Sequence, residues 1–577
     1  MPRLEWVGKD KVIAHHLEVP YRVLDRQYTY GDGDGGNMVI HGDNLEALKA
    51  LLPRFESRVK CVYIDPPYNT GNEGWVYNDN VNDPKLKKWL GEVVGKEGED
   101  LSRHDKWLCM MYPRLKLLQK LLAEDGVIFI SIGDEEHSKL RMICDEIFGP
   151  ACFVANVIWQ NNYSPRNDTK GIAYTTDNIL VFSKTPGWTP KRLERTEEMD
   201  SRFTSPDNDP IPWTSSPAHA PDSSAHRGMV YAIQHPYTGE IFYPPAGRHW
   251  AQEQGKMLSL MNAWANFVLK PIDDLEKRAE LCGETDTSNM PNVAAIMLDE
   301  PLDSAKRKVE QRYQIGVWPE LYFTSKGRGG IRTKKHLSNM GGKAIMTLWP
   351  YAEVGTTTEA KNELKRVFDN AVPFDTPKPT RLIERILQIT TNPGDIILDS
   401  FAGSGTTAHA VLNMNKADGG NRRFILIEME DYAESITAER VKRVIGGYGE
   451  GRSAVEGTGG GFVYYELGAP LLLPDGNLNE EVSVEKIREY VWYTETRKPF
   501  IPPENGQSYY LGRSNGTDYF FYYERDRATV LDYDFLATLP AGEGQRVIYA
   551  DLCGLSGAVL DKLGIVFKKI PRDIKKL

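Results

Sequence analysis

At 577 residues, 41% of them hydrophobic, the chain is long enough for two or three domains with sizeable cores. Its net charge of −10 excludes a uniformly basic surface, although phosphate binding depends on local potential rather than on the average. No apolar stretch approaches a membrane span, the N-terminal Met1-Pro2-Arg3-Leu4-Glu5-Trp6 lacks a signal-peptide core, and six scattered cysteines form neither a disulfide framework nor a metal site, so a reducing cytoplasm is the expected compartment.

In chain order, residues 1–36 read as an N-terminal extension that ends in Tyr30-Gly31-Asp32-Gly33-Asp34-Gly35-Gly36, a turn-rich break with little strand or helix character. The first part of the main domain is expected over residues 37–183. Met38-Val39-Ile40-His41 reads as a strand and Asn44 to Leu52 as a helix, with Asp43 at the strand's carboxyl end. The run Val59-Lys60-Cys61-Val62-Tyr63-Ile64 is short, rich in β-branched and aromatic residues, and stopped by two prolines; it reads as a buried strand. The Gly-, Asn- and Asp-rich stretch from Asn69 to about Ser102 reads as a mobile loop. Trp107, Met110, Met111, Leu115, Leu118, Leu121 and Leu122 then recur at helical spacing up to Gly126, placed as a C-terminal cap. Val127 to Ile132 reads as a second buried strand, with further strands at Val154 to Trp159 and Ile179 to Ser183.

Over residues 184–346 this alternation breaks. A Pro- and aromatic-rich stretch and a charged helical segment near Asp273 to Arg312 suggest a separate lobe. No acidic residue occurs from Leu321 to Ala352, where Lys326, Arg328, Arg332, Lys334, Lys335 and Lys343 gather; they suit phosphates, with a solvated basic loop as the plainer alternative. Alternation resumes over residues 347–448, with a helix from Thr380 to Gln388, the strand Ile396-Ile397-Leu398, a helix from Thr406 to Met414 and the strand Phe424 to Ile427. Residues 449–470 read as a linker region, Gly-rich from Gly449 to Gly461, and residues 471–577 as a small α/β or α+β C-terminal domain. The expected class is α/β, with a doubly wound, mostly parallel sheet.

Asp65-Pro66-Pro67-Tyr68 follows the Val59–Ile64 strand, at the end where open α/β sheets bind ligands. The tandem prolines fix φ and hold Pro66 extended, so the Asp65 carboxylate and the Pro66 carbonyl can form a rigid pair of acceptors. Such a pair suits an amine with two hydrogens, and Tyr68 offers a face on which a planar base can stack.

A second constellation, Asp399-Ser400-Phe401-Ala402-Gly403-Ser404-Gly405-Thr406-Thr407, joins a predicted strand to a predicted helix. Its glycines let a ligand approach the backbone, and the amides at the helix start can hold a carboxylate or phosphate. No Lys follows Gly405, so an ATP phosphate loop does not fit; a dinucleotide fingerprint does fit in form. Glu428 ends the next strand, where a carboxylate can accept from a ribose diol. These features indicate a nucleoside cofactor without separating a dinucleotide from S-adenosylmethionine. The amine-binding tetrapeptide favours a methyl donor.

Taken together, Asp65-Pro66-Pro67-Tyr68 and Phe401-Ala402-Gly403-Ser404-Gly405 resemble the catalytic and cofactor motifs of amino-group DNA methyltransferases, and their order resembles the β group. Over residues 35 to 470 the chain is similar to the modification subunits of Type III restriction-modification systems, through Asp65 to Gly71, Phe374-Asp375-Thr376-Pro377-Lys378-Pro379 and Phe401 to Ala410. The resemblance implies a circularly permuted, Rossmann-like methyltransferase fold with the target-recognition region in residues 184–346. It further implies that Asp43 lies beside the cofactor's adenine, that Glu428 binds the ribose, that Phe401 to Gly405 wrap the methionine part, and that Lys378 helps position the cofactor.

The implied activity is methylation of adenine N6 in double-stranded DNA after base flipping, since Asp in the first tetrapeptide position is more typical of adenine enzymes. Methylation of cytosine N4, or of an amino group in RNA, is the rival within enzymes; a non-catalytic DNA-recognition subunit is the rival from another class. The expected setting is a prokaryotic cytoplasm. By analogy alone, the C-terminal domain would serve a homodimer or a helicase-nuclease restriction subunit.

Overall fold

The computed structural model describes residues 3–32, 36–70, 88, 91–93, 103–164, 171–288, 290–503, 509–540 and 544–575. Most of the expected mobile loop between Asn69 and Ser102 therefore lies outside the described residues. The chain divides into two units, Met1–Lys191 with Ile345–Leu577, and Arg192–Ala344.

The first unit is built on a ten-stranded sheet: β1 (Arg22–Gly31), β2 (Met38–His41), β3 (Val59–Ile64), β4 (Leu122–Ile132), β5 (Phe153–Gln160), β6 (Thr176–Ser183), β7 (Leu348–Trp349), β8 (Ile396–Asp399), β9 (Arg423–Glu428) and β10 (Gly461–Pro470). Their order across the sheet is β1-β10-β2-β9-β8-β3-β4-β6-β5-β7. β1 and β6 run against the others; every remaining adjacent pair is parallel. The central strands are apolar almost throughout because both faces are covered, as a parallel sheet requires: Val62, Ile64, Ile128, Ile130, Leu398, Ile425 and Ile427 are fully buried.

Helices α1 (Asn44–Phe55), α2 (Arg103–Leu121), α3 (Asp134–Phe148), α4 (Thr380–Thr390), α5 (Thr406–Asp418) and α6 (Glu439–Gly446) belong to the same unit. α1 starts where it does because the Asp43 carboxylate accepts from the backbone N–H of Leu45 at 2.8 Å and of Glu46 at 3.1 Å, a side-chain N-cap. α3 opens with Asp134, Glu135 and Glu136, which suit the positive end of the helix dipole.

Four expectations are corrected. Gly126 caps no helix: α2 ends at Leu121, and β4 begins directly at Leu122 and runs through Gly126. The supposed linker contains β10, which pairs with β2 and β1 because Phe462, Val463 and Tyr464 supply the buried, β-favouring side chains. The N-terminal extension has strand character for the same reason, since β1 needs β10 as its partner. At their junction Gly31 has φ 78°, and a Cβ there would lie 2.2 Å from the Gly460 carbonyl oxygen; the turn-like glycines are what allow the two backbones to meet. The charged segment from Asp273 to Arg312 is two helices, Leu275–Cys282 and Leu302–Ile315, separated by the strand Ala295–Leu298.

The C-terminal stretch forms a four-stranded sheet from Tyr510–Ser514, Thr517–Phe521, Arg546–Ala550 and Ile565–Lys569. Within the first unit it is joined to the core of the large sheet through the helix Val484–Thr496. Ile487, Tyr490 and Val491 share a core with Leu48 and Leu51 of α1, Arg54 donates to Glu489 at 2.5 Å, and the Tyr493 hydroxyl bonds Glu56.

The second unit pairs a four-stranded sheet with the three strands Leu321–Phe323, Ile331–His336 and Trp213–Pro217. Its aromatic richness is a core: Trp213, Tyr231, Trp250, Trp264, Phe267 and Phe323 are buried. Each indole N–H finds an acceptor, Trp213 on Asp207 Oδ1 at 2.8 Å, Trp250 on the Tyr231 carbonyl at 2.8 Å and Trp264 on the Leu321 carbonyl at 2.6 Å, which makes indole burial affordable. Among the described residues, no helix is long and apolar enough to cross a membrane.

Candidate active site

β3 and β8 are neighbours and parallel, with Val62 opposite Leu398. From β3 the chain continues through α2 to β4 on one side, and from β8 through α5 to β9 on the other, so the crevice at their carboxyl ends is the switch point of the sheet. Asp65-Pro66-Pro67-Tyr68 leaves one lip of that crevice and Ser400 to Gly405 the other, although more than three hundred residues separate them in the chain.

The tetrapeptide is held from behind. The Pro67 carbonyl accepts from the buried Trp107 indole N–H at 2.7 Å. Asn69, buried with φ 60°, donates from Nδ2 to Glu136 Oε1 at 2.5 Å, and Glu136 is also met by His104 and Lys139. Lys378 in Thr376-Pro377-Lys378-Pro379 donates from Nζ to Asp65 Oδ2, and the same Nζ lies 5.2 Å from the centre of the Tyr68 ring.

This Lys378–Asp65 pair stands between two cavities. One is enclosed by Tyr63, Asp65, Phe374, Lys378, Asp399 and Phe401 to Ser404, with about 30 Å³ of space. The other, of about 180 Å³, is lined by Asp65, Pro66, Tyr68, Trp159, Asn161, Asp177, Thr357 and Thr376 to Lys378. The second exceeds the ~150 Å³ cavity known to admit a benzene ring, so a flat heterocycle fits its scale. Burial raises the Tyr68 hydroxyl above the ordinary tyrosine range, so it is present as the O–H form.

The glycine loop is shaped by groups on three sides. Asp399 takes the Phe401 N–H on Oδ1 at 3.1 Å and the Thr407 hydroxyl on Oδ2 at 2.6 Å; burial pushes its carboxyl up to about 7 despite these two bonds. Gly405 has φ 80°, and a Cβ there would lie 3.0 Å from the Thr437 carbonyl oxygen, so only glycine fits this N-cap position of α5. Thr437, in a single π-helical turn over Glu434–Ala438, donates its hydroxyl to the Gly403 carbonyl at 2.6 Å. Arg440, completely buried, donates to Ser404 Oγ at 2.9 Å and Thr406 Oγ1 at 2.8 Å.

Glu428 ends β9 beside this loop. Its Oε2 accepts from the Gly403 N–H at 2.8 Å and its Oε1 from the Glu430 N–H at 3.0 Å, while burial pushes its carboxyl up to about 7. The Glu428 carbonyl accepts from the Gly42 N–H at 3.0 Å, which brings Asp43 to the same strand edge. Both Asp43 oxygens serve the fold, one as the N-cap of α1 and the other 3.4 Å from the buried Arg114 guanidinium.

The glycine loop keeps hydrogen-bonding capacity that the fold does not use. Ser400 Oγ is buried with no hydrogen-bond partner among the described residues. The small cavity of the same loop is lined by the Phe374 and Phe401 rings, by Gly403 at positive φ and by Thr406 at the start of α5, and the Glu428 carboxylate accepts from the Gly403 N–H. That donor and acceptor set fits a nucleoside with an amino-acid tail.

In the second unit the basic candidates divide. Lys326 and Lys335 are exposed; Arg328 is exposed with its guanidinium 5.1 Å from the centre of the Tyr237 ring; Arg332 donates to Ser215 Oγ at 2.5 Å. Lys334 is a correction to the phosphate-binding expectation. It is buried, with Nζ 2.5 Å from Asp207 Oδ2 and 2.7 Å from Asp209 Oδ2, because the unit's core side of the Ile331–His336 strand takes it inward.

Sequence reasoning missed Asn161, Asp177, Trp159 and Thr357 in the larger cavity, and Thr437 and Arg440 behind the loop. Asp177 stands just before the apolar part of β6 and Asn161 just after that of β5, the ends facing the tetrapeptide; polar residues at strand ends on that edge are the signal that could have found the pair.

The sequence relatives agree with this geometry. The Type III restriction-modification enzyme StyLTI Mod subunit of Salmonella typhimurium is 31% identical over 451 residues, which is 74% of this chain and 58% of that protein. The EcoPI Mod subunit of Escherichia phage P1 is 30% identical over 452 residues, 74% of this chain and 63% of that protein. The Type II methyltransferase M.KpnI of Klebsiella pneumoniae is 29% identical over 394 residues, 67% of this chain and 79% of that protein. The chain spans about three fifths of the length of the two Mod subunits. A family model described as DNA methylase matches residues 59–439, which carry both the tetrapeptide and the glycine loop, and the chain belongs to that family.

Proposed function

We propose that this chain is a site-specific methyltransferase acting on adenine N6 in double-stranded DNA, and that it serves as the modification component of a restriction-modification system. The observation that carries the reading is that Asp65 lines two cavities at once: one walled by Tyr68 and Trp159, on the scale of a planar heterocycle, and a smaller one walled by the glycine loop.

Ser400 to Gly405, Phe374 and Glu428 would hold S-adenosylmethionine, which would supply an electrophilic methyl group. The chain's own residues prepare the amine. An aromatic amino group is a poor nucleophile because its lone pair is delocalised into the ring. Acceptors at the Asp65 carboxylate and the Pro66 carbonyl favour a pyramidal nitrogen and direct its lone pair, so the acceleration comes from orientation and fixed electrostatics. Asp65 need not be a strong base, since the amino proton becomes acidic once the nitrogen is alkylated. Tyr68 stacks on the extruded base and offsets part of the few kcal/mol that leaving the helix costs.

The unit Arg192–Ala344 is the proposed target-recognition region, with Lys326, Arg328 and Lys335 on phosphates and Arg332 on a base edge or phosphate. A restriction subunit and a second copy of this chain are the proposed partners, in a prokaryotic cytoplasm. Similarity to two Mod subunits supports the first.

Long-read detection of modified bases in DNA from a host expressing the wild-type chain, beside one expressing Asp65→Ala, tests the reading. Adenine N6 marks at one short motif, lost in the mutant, are expected. Marks on cytosine would move the assignment to N4, and no marks in either strain, with DNA still bound by the purified protein, would leave a recognition scaffold.

A further inference from the structure

The larger cavity has a wall that the amine chemistry does not use. Asp177 on β6 lies opposite Trp159 on β5, and Asn161 follows β5 on the same edge, with its backbone N–H on the Thr175 carbonyl at 3.0 Å. Asn161 Oδ1 accepts from Asn162 Nδ2 at 2.9 Å, which leaves the Asn161 amide N–H₂ for the Asp177 carboxyl, its hydrogen-bond partner. The orientation of Asn161 is thus set by its neighbour and not by the cavity's contents.

We propose that Asp177, held by Asn161, reads the ring edge of the extruded adenine, its carboxyl donating a hydrogen bond to a ring nitrogen flanking the amino group. The inference rests on the methyltransferase reading of the same cavity. Asp65 and Pro66 accept from the amino group and offer no donor to the flanking nitrogens N1 and N7, which are acceptors only. An ionised carboxylate at that edge would repel them; a neutral one donates.

The like charges around Asp177 shift its carboxyl toward the neutral form. Asp65 faces it from the end of β3 and Asp134 from the start of α3, both like charges. Lys378 is the cation facing it, and its Nζ is engaged by Asp65. Tyr68 adds no charge, since its hydroxyl stays protonated. Burial is the largest influence and raises the Asp177 carboxyl above the usual aspartate range, with Lys378 and Asn161 opposing it.

The test uses the full-length chain and duplex oligonucleotides carrying adenine, 1-deazaadenine or 7-deazaadenine at the target position. The target is the one read from modified bases in the expressing host. One of the two analogues is expected to lower wild-type kcat/KM by about tenfold, and it identifies the nitrogen that is read. Asp177→Ala should lose that discrimination while binding S-adenosylmethionine as the wild type does, because Asp177 lies outside the glycine-loop cavity. Asp177→Asn keeps an N–H donor, so it should keep the discrimination while removing any fall in kcat/KM that wild type shows as pH rises.

Equal penalties from both analogues in wild type and Asp177→Ala would overturn the inference and leave the methyltransferase reading standing. So would a loss of about a hundredfold in Asp177→Asn with cofactor binding intact, because that would make the ionised carboxylate the working form. A wild-type chain that methylates no DNA would overturn both readings together.

Discussion

Replacing Arg440 by Met removes a buried cation behind the glycine loop while keeping most of the side chain's volume. The guanidinium donates to Ser404 Oγ at 2.9 Å, Thr406 Oγ1 at 2.8 Å, His409 Nδ1 at 3.1 Å and Glu363 Oε2 at 3.3 Å. His409 can accept because burial and the neighbouring Arg440 hold its pKa well below the usual histidine range, so its ring is neutral. Hydrogen bonds to a charged group contribute about 1.5–3 kcal/mol each, and removing one partner from a buried charged network costs about 3–5 kcal/mol in all, since the bonds are not additive. We expect Arg440→Met to destabilise the larger unit by about 3–5 kcal/mol and Arg440→Lys, which keeps charge but not the planar fork, by about half of that. The loop that Ser404 and Thr406 belong to should also loosen, weakening S-adenosylmethionine binding tenfold or more, a change of about 1.4 kcal/mol. Urea unfolding and calorimetric titration of the cofactor measure the two effects. Arg440→Met that unfolds within about 1 kcal/mol of wild type and binds the cofactor at wild-type affinity would refute the claim that this buried cation holds the loop.

Four further outcomes are expected. Asp399 and Glu428 have carboxyls raised to about 7, above unfolded values near 4, so the native chain binds more protons than the unfolded one; their contribution is fully present below about pH 4 and is lost as pH rises through about 7. Melting curves from pH 5 to 8 should therefore be flatter for Glu428→Gln than for wild type, and an unchanged slope would contradict the assignment. Gly405→Ala should cost about 1–2 kcal/mol from the left-handed backbone alone and more from the contact 3.0 Å away on Thr437, with cofactor binding weakened before the global fold is lost; wild-type affinity in calorimetry would refute it. Lys334→Met should destabilise the second unit by about 3–5 kcal/mol by leaving the buried Asp207 without its cation and the half-buried Asp209 with His336 alone. Lys335→Ala should leave stability alone and lower the salt dependence of DNA binding by about one phosphate contact, and the reverse pattern in the pair would overturn their assignment.

Much of the site was legible in the chain because its signals are local. Val59 to Ile64 followed by Asp-Pro-Pro-Tyr is a strand with a rigid end, and Ile396 to Thr407 is a strand, a glycine turn and a helix start; both have that form in three dimensions. What misled was local chemistry overruled by distant partners. Gly126 resembles a cap, yet β4 passes through it, and the glycines before Phe462 resemble a linker, yet β10 follows them and pairs with β2 and β1. Lys334 sits among phosphate-binding candidates by composition, but Asp207 and Asp209, more than a hundred residues earlier in the chain, draw it inward.

The sequence by itself determined the two motifs, their order and the chemistry each can perform, because turn geometry, hydrogen-bonding capacity and aromatic faces are properties of a few consecutive residues. Only the tertiary structure decided that β3 and β8 lie side by side, that Lys378 bridges to Asp65, and that Asn161 and Asp177 complete the cavity. Sheet order and the burial of a charge depend on residues far apart in the chain, and no short stretch carries that information.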